Sequence, residues 1–150
     1  MAGKGKYYES QFEEATIELL RESHWQYTFG DDIHRKYTDP LIEEDLRTFL
    51  AAQYKDKKLT ASEMDGIVAN LRNTGGQNDY YAQQNTFLLY RDGYDFTYSD
   101  GRDNPFRLQY IDFEHPDHNI FRCVNQFVME QGRENRRPDI LLFVNGIPVR

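Results

Sequence analysis

The run "DILLFV" near the end of the chain, followed at once by Asn145 and Gly146, constrains the fold more than any other feature. Its continuous apolar character is typical of a central strand that is covered on both faces. Asn-Gly is the strongest short signal for a two-residue hairpin, because both central residues of a type I′ turn need positive φ. The hairpin register then pairs Val144 with Ile147. The chain therefore needs a sheet with other structure packed on each side of it.

The hydrophobic period changes along the chain, from helical spacing in the first half to strand-like alternation in the second. We predict a hairpin in "YDFTYSDGRDNPFRLQYIDF" and one further strand in "NIFRCVNQFVME". Helices on both sides of a mixed sheet would accommodate this order, so the predicted fold class is α/β. The predicted helices lie in "SQFEEATIELLRESHW", "TDPLIEEDLRTFLAAQY", "TASEMDGIVANLRN" and "DYYAQQNTFLLYRDG".

Local signals mark where these helices begin. Thr60 and Glu63 have the spacing of a capping box, in which each side chain bonds the backbone N–H of the other residue. Asp39 and Pro40 are suited to the N-cap and first position of the second helix. The apolar face predicted for the first helix comprises Phe12, Ala15, Leu19 and Leu20, with Thr16 among them.

At 150 residues the chain is long enough for a real core, and we predict a single domain over residues 1–150 with a flexible start at residues 1–7. The net charge of −7 means that it lacks the broad cationic face that supplies most sequence-independent affinity for nucleic acid. Cys123 lies among apolar neighbours, so we expect a buried free thiol in a reducing, cytoplasmic setting. No apolar run has the length of a membrane span, so no membrane contact is expected.

Asp139 is the strongest single candidate for a functional side chain. Pro138 is tolerated at the first position of a strand and forces the residue before it into an extended conformation, so Asp139 should begin a strand at the sheet edge. Across the Asn145-Gly146 turn, the position that faces Asp139 lies about two residues beyond Arg150. We therefore expect the facing half of this site to be absent from the sequence.

The stretch "RRPDILLFVNGIPV", with "YIDFEHPDHNIFRCVNQFV" upstream of it, resembles the N-terminal nuclease region of the R subunit of type I restriction enzymes. The resemblance implies a restriction-endonuclease-like fold with a PD…(D/E)xK site. Asp139 matches the aspartate of that pattern, and Glu13 matches the glutamate of the family's first helix. The second acid and the lysine are absent, so we expect a C-terminally incomplete nuclease domain that is inactive by itself.

The resemblance also implies cofactors and partners. Such enzymes hydrolyse the phosphodiester bonds of unmodified double-stranded DNA as a host defence, in a complex with modification and specificity subunits. Asp139 and Glu13 would hold Mg²⁺, a hard ion that prefers carboxylate and water oxygens. The sequence contains no phosphate-binding GxxxxGK loop, so ATP would be used by motor domains outside this fragment.

Each of these candidates also has a purely structural interpretation. Asp139 could be only a strand-start residue, and Glu13 has capping-box spacing from Ser10. Asn125 and Gln126 are successive strand residues, so one of them must point inward or toward a site. A fully hydrogen-bonded amide is the structural interpretation, and support of Asp139 is the functional one.

Two loops carry weaker candidates. In the charged loop before the last predicted strand, Arg133, Arg136 and Arg137 could contact a DNA phosphate or could simply be solvated. In "HPDH", His115 and His118 could be metal ligands, but no cysteine or third ligand is evident nearby in the sequence. We therefore interpret "HPDH" as a surface loop.

The sequence leaves a second function open. The same fold could serve as a non-catalytic docking module within a larger complex, because a fold does not dictate a function. An acid-x-lysine after Arg150 would support the nuclease, and its loss would support the docking module.

Overall fold

The computed structural model describes residues 2–37, 39–75, 80–131, 134–136 and 139–149. The chain divides into two compact units, and each is described here by itself. Unit 1 comprises Met1–Ile42 and Ile120–Arg150, and unit 2 comprises Glu43–Asn119. That the two units form a single domain, and that residues 1–7 are flexible, stay predictions.

Helices dominate the first part of the described chain and strands the last part. In chain order the elements are α1 (Ala2–Glu22), β1 (Gln26–Phe29), α2 (Glu43–Gln53), α3 (Ala61–Gly75), α4 (Tyr80–Asp92), β2 (Tyr94–Phe96), β3 (Phe106–Leu108), β4 (Phe121–Asn125), β5 (Met129–Gln131), β6 (Glu134–Arg136), β7 (Ile140–Val144) and β8 (Ile147–Val149).

Unit 1 is built on a four-stranded sheet with the strand order β1-β4-β7-β8. β1 runs parallel to β4, whereas β4 with β7 and β7 with β8 are antiparallel, so the sheet is mixed. The predicted fold class, α/β with a mixed sheet, is therefore confirmed. The terminal hairpin has the predicted register, with Val144 opposite Ile147. Asn145 and Gly146 have φ of 53° and 77°, as a type I′ turn requires.

The turn of this hairpin is held by side-chain and backbone hydrogen bonds. Asn145 is fully buried. Its Oδ1 accepts a hydrogen bond from the backbone N–H of Ile120 at 2.7 Å, and its own N–H donates to the Ile120 carbonyl at 2.8 Å. The Gly146 carbonyl accepts from the N–H of Ile42 at 2.9 Å. These bonds fix the position of β7 and therefore of the residue that precedes it.

The core of unit 1 lies against β4 and β7. Phe143 and Val124 pack with Ile42 and Phe127 in one buried cluster. Successive residues of a strand point to opposite faces, so the neighbouring Cys123 lies on the other face of β4. It is a free, fully buried cysteine, as predicted. All five residues of β7 are buried or half-buried, in agreement with its prediction as a covered central strand.

Unit 2 combines α2, α3 and α4 with the predicted hairpin of β2 and β3, which is confirmed. The capping box at the start of α3 is also confirmed, because the Thr60 N–H donates to Glu63 Oε1 at 3.0 Å and the Glu63 N–H donates to Thr60 Oγ1 at 3.1 Å. The Arg102 guanidinium bonds the same carboxylate and lowers the pKa of Glu63 to about 2. The fully buried side chains of unit 2 include Leu46, Phe49, Leu50, Ile67, Leu71, Leu108 and Tyr110.

The prediction for the face of the first helix is wrong. Phe12 and Leu19 are 75% and 65% exposed, whereas Ile17 is buried and Glu13 is half-buried. The helix also begins at Ala2 and runs through Ser10, so Ser10 is not an N-cap. Hydrophobic periodicity assumes that the apolar face packs on the sheet, but here hydrogen bonding orients α1 with Glu13 inward.

Three other features of the secondary structure differ from the prediction. α2 begins at Glu43, because Asp39 Oδ1 instead accepts the N–H of Leu41 in a turn before the helix. The strand predicted in "NIFRCVNQFVME" is divided into β4 and β5, because Gln126 takes a φ of 56° and leaves the extended conformation. β1 was not predicted, since four residues are too few for alternation to be recognised.

Candidate active site at the edge of the mixed sheet

The candidate site lies where β4 ends and β7 begins. Asn125, the last residue of β4, is paired with Ile140. The backbone N–H of Gln126 donates to the carbonyl of Asp139 at 3.2 Å. Asp139 therefore directly precedes β7, where the sequence predicted the start of a strand. Its carbonyl is hydrogen-bonded to the residue that follows β4.

Glu13 of α1 reaches the same edge. Its Oε1 accepts a hydrogen bond from Asn125 Nδ2 at 3.0 Å and lies 3.5 Å from the side-chain nitrogen Nε2 of Gln126. Because Glu13 and Asn125 are 112 residues apart, only the folded chain brings them together. The carboxylate of the first helix is thus beside the side-chain amides of Asn125 and Gln126, and the backbone of Gln126 in turn contacts Asp139.

Tyr27 of β1 completes this network and was missed by the sequence analysis. Its hydroxyl donates to Asn125 Oδ1 at 2.8 Å, so the Asn125 amide accepts from Tyr27 and donates to Glu13. Burial raises the pKa of Tyr27, which keeps the phenol in its donor form. A tyrosine two residues after a tryptophan is too common a pattern to have indicated this role.

Gly30 allows the corner at Gln126 to pack closely against the chain after β1. A Cβ at residue 30 would lie 2.3 Å from the carbonyl oxygen of Gln126 and 2.9 Å from that of Asn125. Real Cβ atoms do not approach backbone oxygens this closely, so only glycine fits without displacement. The position of Asn125 and Gln126 therefore depends on Gly30.

Asp139 differs from Glu13 in its surroundings. The residue is exposed, and within the described ranges its carboxylate has no hydrogen-bond or ion-pair partner. Asn125 and Gln126 contact Glu13 through their amides, whereas the sequence analysis linked them to Asp139. The structural interpretation of Asn125 as a hydrogen-bonded amide agrees with its bonds to Tyr27 and Glu13, whereas support of Asp139 by Asn125 or Gln126 stays a prediction.

The structure places one of the three arginines predicted to contact DNA. Arg133 and Arg137 lie outside the described residues, as does Pro138. Arg136 was predicted to lie in a loop, but it is the last residue of β6, because its backbone pairs with Met129 of β5. Phosphate contacts by these three side chains stay a prediction.

The donor set at the edge is chemically suited to a hard divalent cation. Glu13 and Asp139 offer carboxylate oxygens, and the neighbouring amides offer further oxygen or hydrogen-bonding groups. Mg²⁺ is bound in proteins through one or two carboxylates together with water and substrate phosphates. The residues present therefore fit the ion that the family resemblance implies.

None of the helices in the described part of the chain has the length and apolar character of a membrane span.

Comparisons with known proteins agree with the resemblance. The sequence model of the family described as "Type I restriction enzyme R protein N terminus" matches residues 6–150. The "Type I restriction enzyme HindI endonuclease subunit" of Haemophilus influenzae is 27% identical over 94% of this chain and 14% of the relative. The "Putative type I restriction enzyme MjaIXP endonuclease subunit" of Methanocaldococcus jannaschii is 47% identical over 28% of this chain and 4% of the relative. The chain thus spans a small fraction of these relatives, and no solved structure matches significantly.

Proposed function

Because this chain belongs to the family formed by the N-terminal regions of type I restriction enzyme R proteins, we propose that it supplies part of the nuclease site of such an enzyme. The reaction is hydrolysis of phosphodiester bonds in double-stranded DNA. The observation that carries the proposal is the approach of Glu13 to the edge where Asp139 precedes β7. A glutamate on the inward face of a helix, with Phe12 turned outward, is otherwise costly.

Glu13 and Asp139 are the residues that would hold Mg²⁺. When bound, the ion polarises the scissile phosphate and lowers the pKa of a coordinated water. Glu13 is oriented by the amide of Asn125, which Tyr27 holds in turn, so its carboxylate is fixed before DNA arrives. Asp139 is exposed, which leaves it accessible to a phosphate group.

The remaining parts of the enzyme follow from the family. ATP would be consumed by motor domains outside these residues, and modification and specificity subunits would select the DNA in the cytoplasm. This division of labour also accounts for the net charge of −7, because other domains can supply the cationic grip on DNA.

A polypeptide of only these residues is proposed to be inactive. No acid-x-lysine follows Asp139 in the sequence, and in the family pattern that half of the site would add a further carboxylate and the lysine. The lysine would position or activate the attacking water and stabilise charge in the transition state. Robust Mg²⁺-dependent cleavage by the pure polypeptide would contradict this proposal.

The test uses the full-length gene product, assembled with its modification and specificity subunits. Asp139→Asn and Glu13→Gln should each lower ATP- and Mg²⁺-dependent cleavage of unmodified plasmid by about 100-fold or more, as expected for groups that stabilise transition-state charge. Asp117→Asn is the matched control, because Asp117 is the aspartate of the other Pro-Asp pair and is exposed.

ATP hydrolysis should be retained in both site variants, which shows that the complex still assembles and translocates. Full cleavage by Asp139→Asn would remove Asp139 from the site. An assembled wild-type complex that hydrolyses ATP but never cleaves DNA would favour the non-catalytic docking module.

A further inference from the structure

A cluster of three potential metal ligands lies in unit 2, in the loop that follows β3. Asp112, His115 and His118 each offer one ligand atom, and these atoms all lie within 4.8 Å of one another. Asp112 is 7% exposed, whereas the His115 and His118 side chains are 59% and 49% exposed. The cluster therefore has a buried carboxylate base and two imidazoles that are open to solvent.

The two imidazoles converge on a single carboxylate oxygen. Asp112 Oδ2 lies 3.0 Å from His118 Nδ1 and 3.6 Å from His115 Nδ1. The two rings are stacked, with centroids 4.9 Å apart and an angle of 17° between their planes. Ligand atoms about 2.0–2.2 Å from Zn²⁺ in a tetrahedral site are roughly 3.3–3.6 Å from each other. The 3.6 Å separation matches that edge length, and the 3.0 Å separation is slightly shorter.

The carboxylate is held in place by hydrogen-bond donors other than the proposed ligand atoms. Asp112 Oδ1 accepts the backbone N–H groups of Glu114 and His115 at 3.1 and 2.9 Å. Asp112 Oδ2 also accepts from Gln53 Nε2 at 2.9 Å. Outer hydrogen bonds of this kind orient a ligating carboxylate before the metal binds.

The loop backbone is fixed by Asn119. Its Oδ1 accepts the N–H of Asp112 at 2.9 Å, and its Nδ2 donates to the carbonyls of Asp112 and Pro116 at 2.8 and 3.1 Å. Pro116–His118 form a single 3₁₀ turn, which returns His118 to the same side as His115. The loop thus holds both imidazoles on one side, and the stacked, exposed rings need only turn about their side-chain bonds for both Nδ1 lone pairs to point at one ion.

We propose that Asp112, His115 and His118 bind one borderline divalent transition-metal ion, with Zn²⁺ as the expected ion and at least one coordination position open to solvent. Two imidazoles and one carboxylate suit Zn²⁺, Ni²⁺ or Co²⁺ better than Mg²⁺. Neutral imidazole donates its Nδ1 lone pair when its proton is on Nε2, and in this loop Nε2 can be solvated. In the metal-free chain the same contact between His118 and Asp112 is a hydrogen bond, which the ion replaces.

The bound ion would stabilise the loop after β3. An ion that binds only the folded state raises stability in proportion to the logarithm of its free concentration above Kd. The site uses no residue of the proposed nuclease centre, so either proposal can fail without the other.

The experiment is a calorimetric titration of the metal-free 150-residue chain with Zn²⁺, at neutral pH and with excess Mg²⁺ present. We expect one Zn²⁺ per chain that Mg²⁺ does not displace. His115→Gln and His118→Gln should each weaken Zn²⁺ binding at least about tenfold, and the double variant should lose it. Loss of a residue that only hydrogen-bonds a metal ligand already costs roughly 10- to 100-fold in affinity, and loss of a ligand itself should cost at least as much. His34→Gln, an exposed histidine in unit 1, is the matched control and should bind as the wild type does.

Equal Zn²⁺ binding by the double variant, or no binding by the wild type, would overturn the proposal. The histidines are exposed, so the variants should fold, and circular dichroism checks this directly. If a variant does not fold, X-ray absorption spectroscopy of the Zn²⁺-loaded wild type decides the question. Two imidazole ligands support the site, and fewer than two exclude it.

Discussion

Gly30 shows how one residue can determine the position of a site to which it contributes no side chain. Its backbone lies against the carbonyl of Gln126, where a methyl group would come within 2.3 Å. Gln126 itself has a φ of 56°, a strained value for a residue with a side chain. The corner that carries both amides of the candidate site therefore depends on an absent Cβ and on an unusual backbone conformation.

We expect Gly30→Ala to lower the free energy of unfolding by about 1–3 kcal/mol, the usual cost of overpacking. The added methyl must displace the backbone of Asn125 and Gln126, which should also disturb their contact with Glu13. Urea denaturation measures the change. Gly66→Ala is the control, because nothing lies within 4 Å of its Cβ position in α3, and alanine should stabilise that helix by about 0.5–1 kcal/mol. Equal stability of wild type and Gly30→Ala would contradict the packing argument.

The elements differ in how strongly their own residues specify them. α3 begins where Thr60 and Glu63 predict, because the two hydrogen bonds of the capping box are local. The terminal hairpin has its predicted turn for the same reason. α1 was assigned correctly as a helix but with the wrong face inward, because its orientation depends on Asn125 in a distant strand.

The capping box should be measurable in the stability of unit 2. Thr60→Ala leaves the N–H of Glu63 without its hydroxyl acceptor and should reduce the free energy of unfolding by about 1 kcal/mol. Thr48→Ala is the control inside α2, where, among the described residues, the threonine hydroxyl bonds the carbonyl of Glu44 in its own helix. Its stability should be unchanged or slightly higher, since alanine is the better helix former. Thermal unfolding followed by circular dichroism compares them, and equal effects of the two substitutions would exclude a specific cap.

At the scale of the whole molecule, charge decides what the chain can do alone. Non-specific binding to DNA is driven by cationic side chains that neutralise phosphates and release their counterions. A chain with a net charge of −7 is repelled by DNA and has few cationic side chains left over for this. We expect no saturable binding of a short duplex at physiological salt up to roughly 100 μM protein, the weak end of the usual non-specific range. Fluorescence anisotropy over a salt series measures this. A Kd below about 10 μM would show that a local cationic surface outweighs the net charge.

Whether a site residue was predicted from the sequence depends on how far along the chain its partners lie. Asp139 was correctly expected at the start of a strand, because proline and the apolar run after it are adjacent in sequence. Tyr27 was missed, since its partner Asn125 is 98 residues away. Asp112 was not recognised as a potential third ligand beside His115 and His118, although an Asp-x2-His-x2-His spacing was visible. Recognising it required the turn that folds those positions together.

Local sequence was enough to predict the Asn145-Gly146 turn, the capping box of α3, the covered strand β7 and the position of Asp139. Hydrogen bonds within a few residues and the period of apolar side chains specify such features. Only the tertiary structure decided that Glu13 faces Asn125 while Phe12 faces solvent, and that Gly30 abuts Gln126. Those contacts join residues about a hundred positions apart along the chain, as the separation of 112 between Glu13 and Asn125 illustrates. Their free energy depends on the packing of the whole sheet, which no local pattern encodes.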